Sequence, residues 1–230
     1  MLHTTRPQVI SPELQKTFFG VTMAYFGIAL ASAAGGVYVG IRFLPPTLVY
    51  NTGFLLAMFA LTLVLIFTSK KWSLSRMGYL FLMIFAAVFG VTLVPVLAYA
   101  AATAGAPIIW KALLATVAMF GGLAIYGATT HRDLTGLGGF LMASLIGMIA
   151  VSLITLVLHL FGVSVWNDTT ELIFSGFGIL IFAGFTMYDF QKILRLSGQI
   201  TPAEAAIRLF LDFVLLFQYI LRFMSGMSRD

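Results

Sequence analysis

The chain has 230 residues, of which 60% are hydrophobic and 9% charged, with a formal net charge of +5 and a mean hydropathy of +1.03. A soluble domain carries about 25% charged residues, and a chain of this length has too little interior to hide so much apolar surface from water. The composition therefore excludes a soluble globular fold and implies an integral membrane protein. The absence of cysteine also excludes disulfides, thiol catalysis, iron–sulfur clusters and Cys-ligated zinc.

The apolar segments follow one another with few interruptions. Residues 1–16 are polar, with Pro7 and Pro12, and read as a cytoplasmic N-terminal segment. The apolar run that follows is too long for the core of a signal peptide and is expected to be a retained first span. Six long stretches contain no Asp, Glu, Lys or Arg: 17–41, 43–69, 77–110, 112–130, 134–167 and 172–188. A spanning helix needs about 20 apolar residues, so the two 34-residue stretches each hold one span and a loop. A seventh apolar segment, 205–224, is interrupted by Arg208 and Asp212.

The expectation is an all-α membrane protein of seven transmembrane helices. The expected spans are 17–41, 47–68, 77–99, 108–130, 137–160, 172–193 and 205–224, forming a single membrane domain over residues 1–230. Barrel strands would alternate apolar and polar residues over about ten positions, whereas these runs are continuous and satisfy their own backbone as helices. Pro45-Pro46, Gly105-Ala106-Pro107 and Thr201-Pro202-Ala203-Glu204 mark breaks, the last with a capping Thr201, Pro202 in the first turn and Glu204 at the positive end of the helix dipole. Pro95 falls inside the third span and predicts a kink.

Lys and Arg in the loops orient a membrane protein. With seven spans, the N-terminal side carries Arg6, Lys16, Lys70, Lys71, Arg76, Arg132, Lys192 and Arg195, and the other side only Arg42, Lys111 and Arg229. Eight against three predicts a multi-pass inner (plasma) membrane protein with a cytoplasmic N-terminus and an external C-terminus. The basic pI reports this topology, and no basic soluble surface suggests nucleic-acid binding.

Ionisable side chains within a bilayer are costly and mark function by default. Two acids qualify, Asp189 near the cytoplasmic end of the sixth span and Asp212 in the seventh. At 1.5 Å per residue they stand about 6 Å and about 10 Å from that end, on antiparallel neighbours, and so can meet. Arg208, Asp212, Leu215, Tyr219 and Arg222 follow the i, i+4, i+7, i+11, i+14 spacing of one helix face. A polar stripe of Arg208, Asp212, Tyr219 and Arg222 predicts that the last helix is central in the bundle, facing other helices or water and not lipid. Two readings of the acids stay open. In one, each makes a local ion pair, Asp212 with Arg208 and Asp189 with Lys192. In the other they form a coupled pair, which cannot ionise twice cheaply and so responds to pH. The oxygens of such a pair suit a hard cation such as Ca²⁺, though two carboxylates fall short of a tight site and fit transient contact.

Other chemistries lack their residues. No lysine lies in 205–224 to hold retinal, no His-Glu-x-x-His or Gly-x-Ser-Gly occurs, and His3, His131 and His159 are dispersed. Asp212 follows Leu209-Phe210-Leu211, where an aspartyl intramembrane protease would have Gly-x-Gly-Asp. No Gly-x-x-x-x-Gly-Lys-Ser/Thr loop is present for ATP-driven pumping. An enzyme and a resident cofactor are not expected.

The segment Tyr126-Gly-Ala-Thr-Thr-His-Arg-Asp-Leu-Thr-Gly-Leu-Gly-Gly-Phe140, Tyr188-Asp189 with Lys192, and Leu209-Phe-Leu-Asp-Phe213 with Leu221-Arg222-Phe223 resemble the Bax inhibitor-1-like family of transmembrane proteins, as a bacterial member. The resemblance implies a seven-helix fold with a central last helix. It also implies a pH-sensitive Ca²⁺ leak controlled by two aspartates that map onto Asp189 and Asp212. A basic latch near the second and third spans is implied too, with Lys70, Lys71 and Arg76 all in range and none assigned. The expected partners are the lipid bilayer, Ca²⁺ as the transported ion, and protons. Two alternatives remain: an interaction protein that modulates a membrane-bound protease, and a proton-coupled cation carrier.

Overall fold

Proline, glycine and asparagine punctuate the chain where helices must stop. The computed structural model describes residues 12–73, 77–163, 167–195 and 199–228. Within them run α1 (Pro12–Phe43), the single-turn α2 (Pro46–Val49), α3 (Thr52–Ser73), α4 (Gly78–Ala104), α5 (Pro107–Thr129), α6 (Leu137–Leu160), α7 (Asp168–Arg195) and α8 (Pro202–Met227). Gly105 turns between α4 and α5 with φ +83°, a left-handed conformation that suits glycine. Thr201 Oγ1 accepts from the Glu204 N–H at 3.1 Å and caps α8, with Pro202 in its first turn. α4 continues as one helix through Pro95.

The second long helix starts later than apolarity alone suggests. Pro46 opens α2, and the Asn51 side chain accepts from the Phe54 N–H at 3.1 Å to start a new helix. The expected span 47–68 is thus divided, and α3 runs on to Ser73.

Among the described residues five helices are long and apolar enough to cross a membrane: α1, α4, α5, α6 and α7. The seven-span expectation goes beyond this. α3 has a shorter apolar stretch, Thr52–Ile66, and α8 carries Glu204, Arg208, Asp212 and Arg222 along its length.

α8 occupies the middle, packing against α1, α3, α4, α5 and α7. None of its residues is exposed before Met227. Phenylalanines in its first half enter two clusters of rings. On one side Phe210 meets Phe85 and Phe89 of α4 edge-on, at 5.8 and 5.7 Å between centroids. On the other, Phe213 meets Phe26 of α1 and Phe120 of α5 at 5.9 and 5.3 Å. Edge-to-face contacts of this kind add to the packing of large rings. α1 and α4 approach backbone to backbone: a Cβ on Gly36 would collide with the Ala87 carbonyl, and one on Gly90 with the Ala33 carbonyl. α6 leans on α7 at the edge and presents Phe140, Ile146, Ile149, Leu153, Ile154 and Val157 outward. A bilayer accommodates such a face and water does not.

Candidate functional site: a buried carboxylate pair between α7 and α8

The last two turns of α7 and the middle of α8 bury two acids. Asp189 is 6% exposed and Asp212 is 5% exposed, in a core made mostly of phenylalanine, leucine, isoleucine and alanine. α7 and α8 run antiparallel and pack along their length. The two carboxylates act on one another electrostatically, and the Arg208 guanidinium acts on both. Lys192 also acts on Asp189. The helices therefore bring together the two acids that the sequence singles out, within reach of one arginine's charge.

The local ion pairs considered for these acids do not form. Arg208 Nη2 donates to Glu204 Oε1 at 3.0 Å, one turn back along α8. Lys192 Nζ donates to Tyr188 Oη at 3.0 Å and lies 5.0 Å from the centre of that ring. Asp212 Oδ2 is buried with no hydrogen-bond partner among the described residues. A buried, unpartnered carboxylate oxygen is costly and is ready to accept a proton or a cation. Phe213 and Phe190, the neighbours in sequence of the two acids, both pack on Phe120, so rings border the pair on the α5 side.

The rest of the polar stripe lies further along α8. The Tyr219 ring stacks on Phe182 at 5.5 Å and fits against Gly178 of α7, where any Cβ would overlap it. Arg222 acts electrostatically on Tyr219 and lines a separate cavity towards the C-terminal end of α8. Of the basic residues considered as a latch, Lys71 is exposed on α3, while Arg76 and the Lys70 side chain lie outside the described residues.

One device near the site escaped the sequence reading. Gln191, two residues past Asp189 and 6% exposed, grips the α5–α6 connection with both ends of its amide. Its Nε2 donates to the Arg132 carbonyl at 2.8 Å, and its Oε1 accepts from the Leu134 N–H at 2.9 Å. Beside it Arg195 Nη1 donates to Asp133 Oδ1 at 2.7 Å. Hydrogen bonds from the Thr135 N–H and hydroxyl, aided by Arg195, bring the Asp133 carboxyl down to about 2. Gln15 Nε2 of α1 donates to the Leu194 carbonyl at 3.0 Å at the same end. No charge drew attention to Gln191; a lone amide in the last turns of an apolar helix is the only sequence signal it leaves.

The fold and site together define an all-helical membrane protein organised around a buried aspartate pair on its two last helices. The chain matches the model of the family described as "Inhibitor of apoptosis-promoting Bax1" over residues 15–230. It is 33% identical over 187 residues to the inner membrane protein YbhL of Escherichia coli strain K12, covering 76% of this chain and 74% of that protein. Uncharacterised proteins of Helicobacter pylori strain 26695 and Campylobacter jejuni are 31% and 32% identical, covering 93% and 92% of this chain and 89% of each relative. The chain belongs to the Bax inhibitor-1-like family.

Proposed function

We propose that this protein is a pH-sensitive passive Ca²⁺ leak of the inner membrane, with Asp189 and Asp212 as gate and transient cation contact. In this reading all seven long helices cross the bilayer, the N-terminus is cytoplasmic and the C-terminus external. α3 and α8 are held there by packing despite their charges. The observation that supports the reading best is the placement of two buried acids on adjoining helices, with Asp212 Oδ2, on the central helix, unpartnered among the described residues. A hydrated cation passing between α7 and α8 would exchange part of its water for carboxylate oxygens, the rest of its six to eight ligands remaining water. Two acids in one field share protons, so their charge, and with it the cation's path, responds to pH. The packed rings of Phe120, Phe190 and Phe213 keep the closed form dry, as hydrophobic constrictions do in other channels. No covalent chemistry is assigned to the protein.

The test is passive flux. Purified protein in liposomes loaded with a Ca²⁺ indicator is expected to pass Ca²⁺ down its gradient without an energy source, at a rate that depends on pH. Absence of flux at every pH contradicts the proposal. Saturable flux coupled stoichiometrically to protons also contradicts it, and assigns the same carboxylates to a carrier.

A further inference from the structure

A second polar site lies away from the aspartate pair. A half-open cavity of about 330 Å³ sits where the C-terminal half of α8 meets the start of α7 and the end of α4. Arg222, Glu171, Tyr99 and Ser225 supply its polar lining, and Pro95 and Leu221 contribute apolar walls. Ser225 is 2% exposed and its Oγ has no hydrogen-bond partner among the described residues. A buried hydroxyl left unpaired on the wall of a cavity is an unmet demand that a polar ligand satisfies. Tyr99, at the rim, is 48% exposed.

The lining carries one cation and one anion. A simple anion would meet Glu171, and a simple cation would meet Arg222. A ligand with both charges matches the sign of both residues. Depth narrows the choice further. Glu171 is in the first turn of α7 and Arg222 is near the last turns of α8, and in the membrane placement proposed above that end of the two helices is where the bilayer meets water. An exposed tyrosine at a helix end belongs to the same interfacial belt. Guanidinium groups suit phosphate oxygens because their fork of donors matches them.

We propose that this cavity binds an ammonium–phosphate zwitterion of the phosphoethanolamine type, presented by a membrane lipid. Arg222 holds the phosphate, Glu171 faces the ammonium and Ser225 Oγ donates to a phosphate oxygen. The acyl chains leave past Tyr99 along the outer surface of α4. The site rests on the membrane placement of the chain and is independent of whether the protein passes Ca²⁺.

The experiment uses the full chain in detergent and follows binding by titration calorimetry with short-chain probes. Dihexanoyl phosphatidylethanolamine is expected to bind saturably, and dihexanoyl phosphatidylglycerol, which has no ammonium, about tenfold more weakly, as the loss of one charged hydrogen bond implies. Arg222→Gln and Glu171→Gln are each expected to weaken the ethanolamine lipid by about tenfold or more, with Arg222→Lys retaining part of the affinity. Equal binding of the two lipids by the unaltered protein overturns the proposal, and that comparison needs no variant to fold. Undiminished binding in both folded glutamine variants overturns it as well. Free phosphoethanolamine binding as tightly as the lipid overturns the lipid source.

Discussion

Arg208 reaches back one helical turn to Glu204, its Nη2 donating to Oε1 at 3.0 Å, although Asp212 stands one turn ahead of it on the same face of α8. Glu204 is the less exposed partner, its side chain 15% exposed against 36% for Arg208. The arginine is thereby kept from closing on Asp212 while its charge still reaches both buried acids.

Glu204→Gln should therefore separate stability from function. A partly exposed i,i+4 ion pair contributes about 0.3–0.5 kcal/mol, so thermal unfolding in detergent should hardly move. The released Arg208 can swing to Asp212, and the pH profile of Ca²⁺ flux should shift. A profile identical to that of the unaltered protein contradicts this role for Glu204.

The α5–α6 connection should depend on Gln191. Gln191→Leu leaves the Leu134 N–H and the Arg132 carbonyl without their Gln191 partner, at a local cost of about 1–3 kcal/mol for the buried Leu134 N–H. Hydrogen exchange at the Leu134 amide should accelerate, while amides in the middle of α4 stay protected. Unchanged exchange at Leu134 would show that the loop holds without the clamp.

The adjoining ion pair makes a prediction about pH. Asp133 is held at about 2 by Thr135 and Arg195, below its ordinary 3.8. A depressed carboxylate stabilises the fold above its ordinary value, and that contribution fades as pH falls through about 2. The Arg195–Asp133 contact is thus complete at neutral and mildly acidic pH. Carboxyl-carbon NMR on Thr135→Val or Arg195→Gln should find Asp133 titrating nearer 3.8. Asp133→Asn should leave the pH profile of flux near neutrality unchanged; a shift there would place the sensor in this loop.

Helix packing gives a paired prediction from one substitution at two sites. Gly90→Ala drives a methyl group into the Ala33 carbonyl of α1, whereas Gly121→Ala meets nothing within 4 Å. Overpacking costs about 1–3 kcal/mol, while alanine in an open helical position stabilises by about 0.5–1 kcal/mol relative to glycine. Thermal unfolding should fall for the first variant and hold or rise for the second. Equal shifts would mean that α1 and α4 do not meet at Gly90.

Much of the helical layout was legible because it rests on apolar runs and their breakers. The α6 bounds coincide with the expected 137–160, and the last helix starts at the Thr201 cap. The division of 47–68 by α2 was not legible from apolarity, since it turns on the Asn51 side chain accepting from Phe54. At the site, Asp189 and Asp212 stood out because charge in an apolar helix is rare and local spacing places it. Partner choice was not legible. Glu204 and Asp212 both lie four residues from Arg208, and only the packing of α8 among five helices decides between them. Gln191 was hidden for a related reason, since its partners are backbone groups 57 and 59 residues away.

The central claim is that pH acts through the aspartate pair, and Ca²⁺ flux into liposomes across a pH series tests it most directly. The unaltered protein, Asp189→Asn and Asp212→Asn should be compared at matched protein density. Each asparagine variant is expected to pass Ca²⁺ with a flattened or displaced pH dependence, the larger change coming from Asp212, whose Oδ2 has no hydrogen-bond partner among the described residues. If both variants instead reproduce the unaltered profile, the pair is not the gate and serves only to hold α7 against α8.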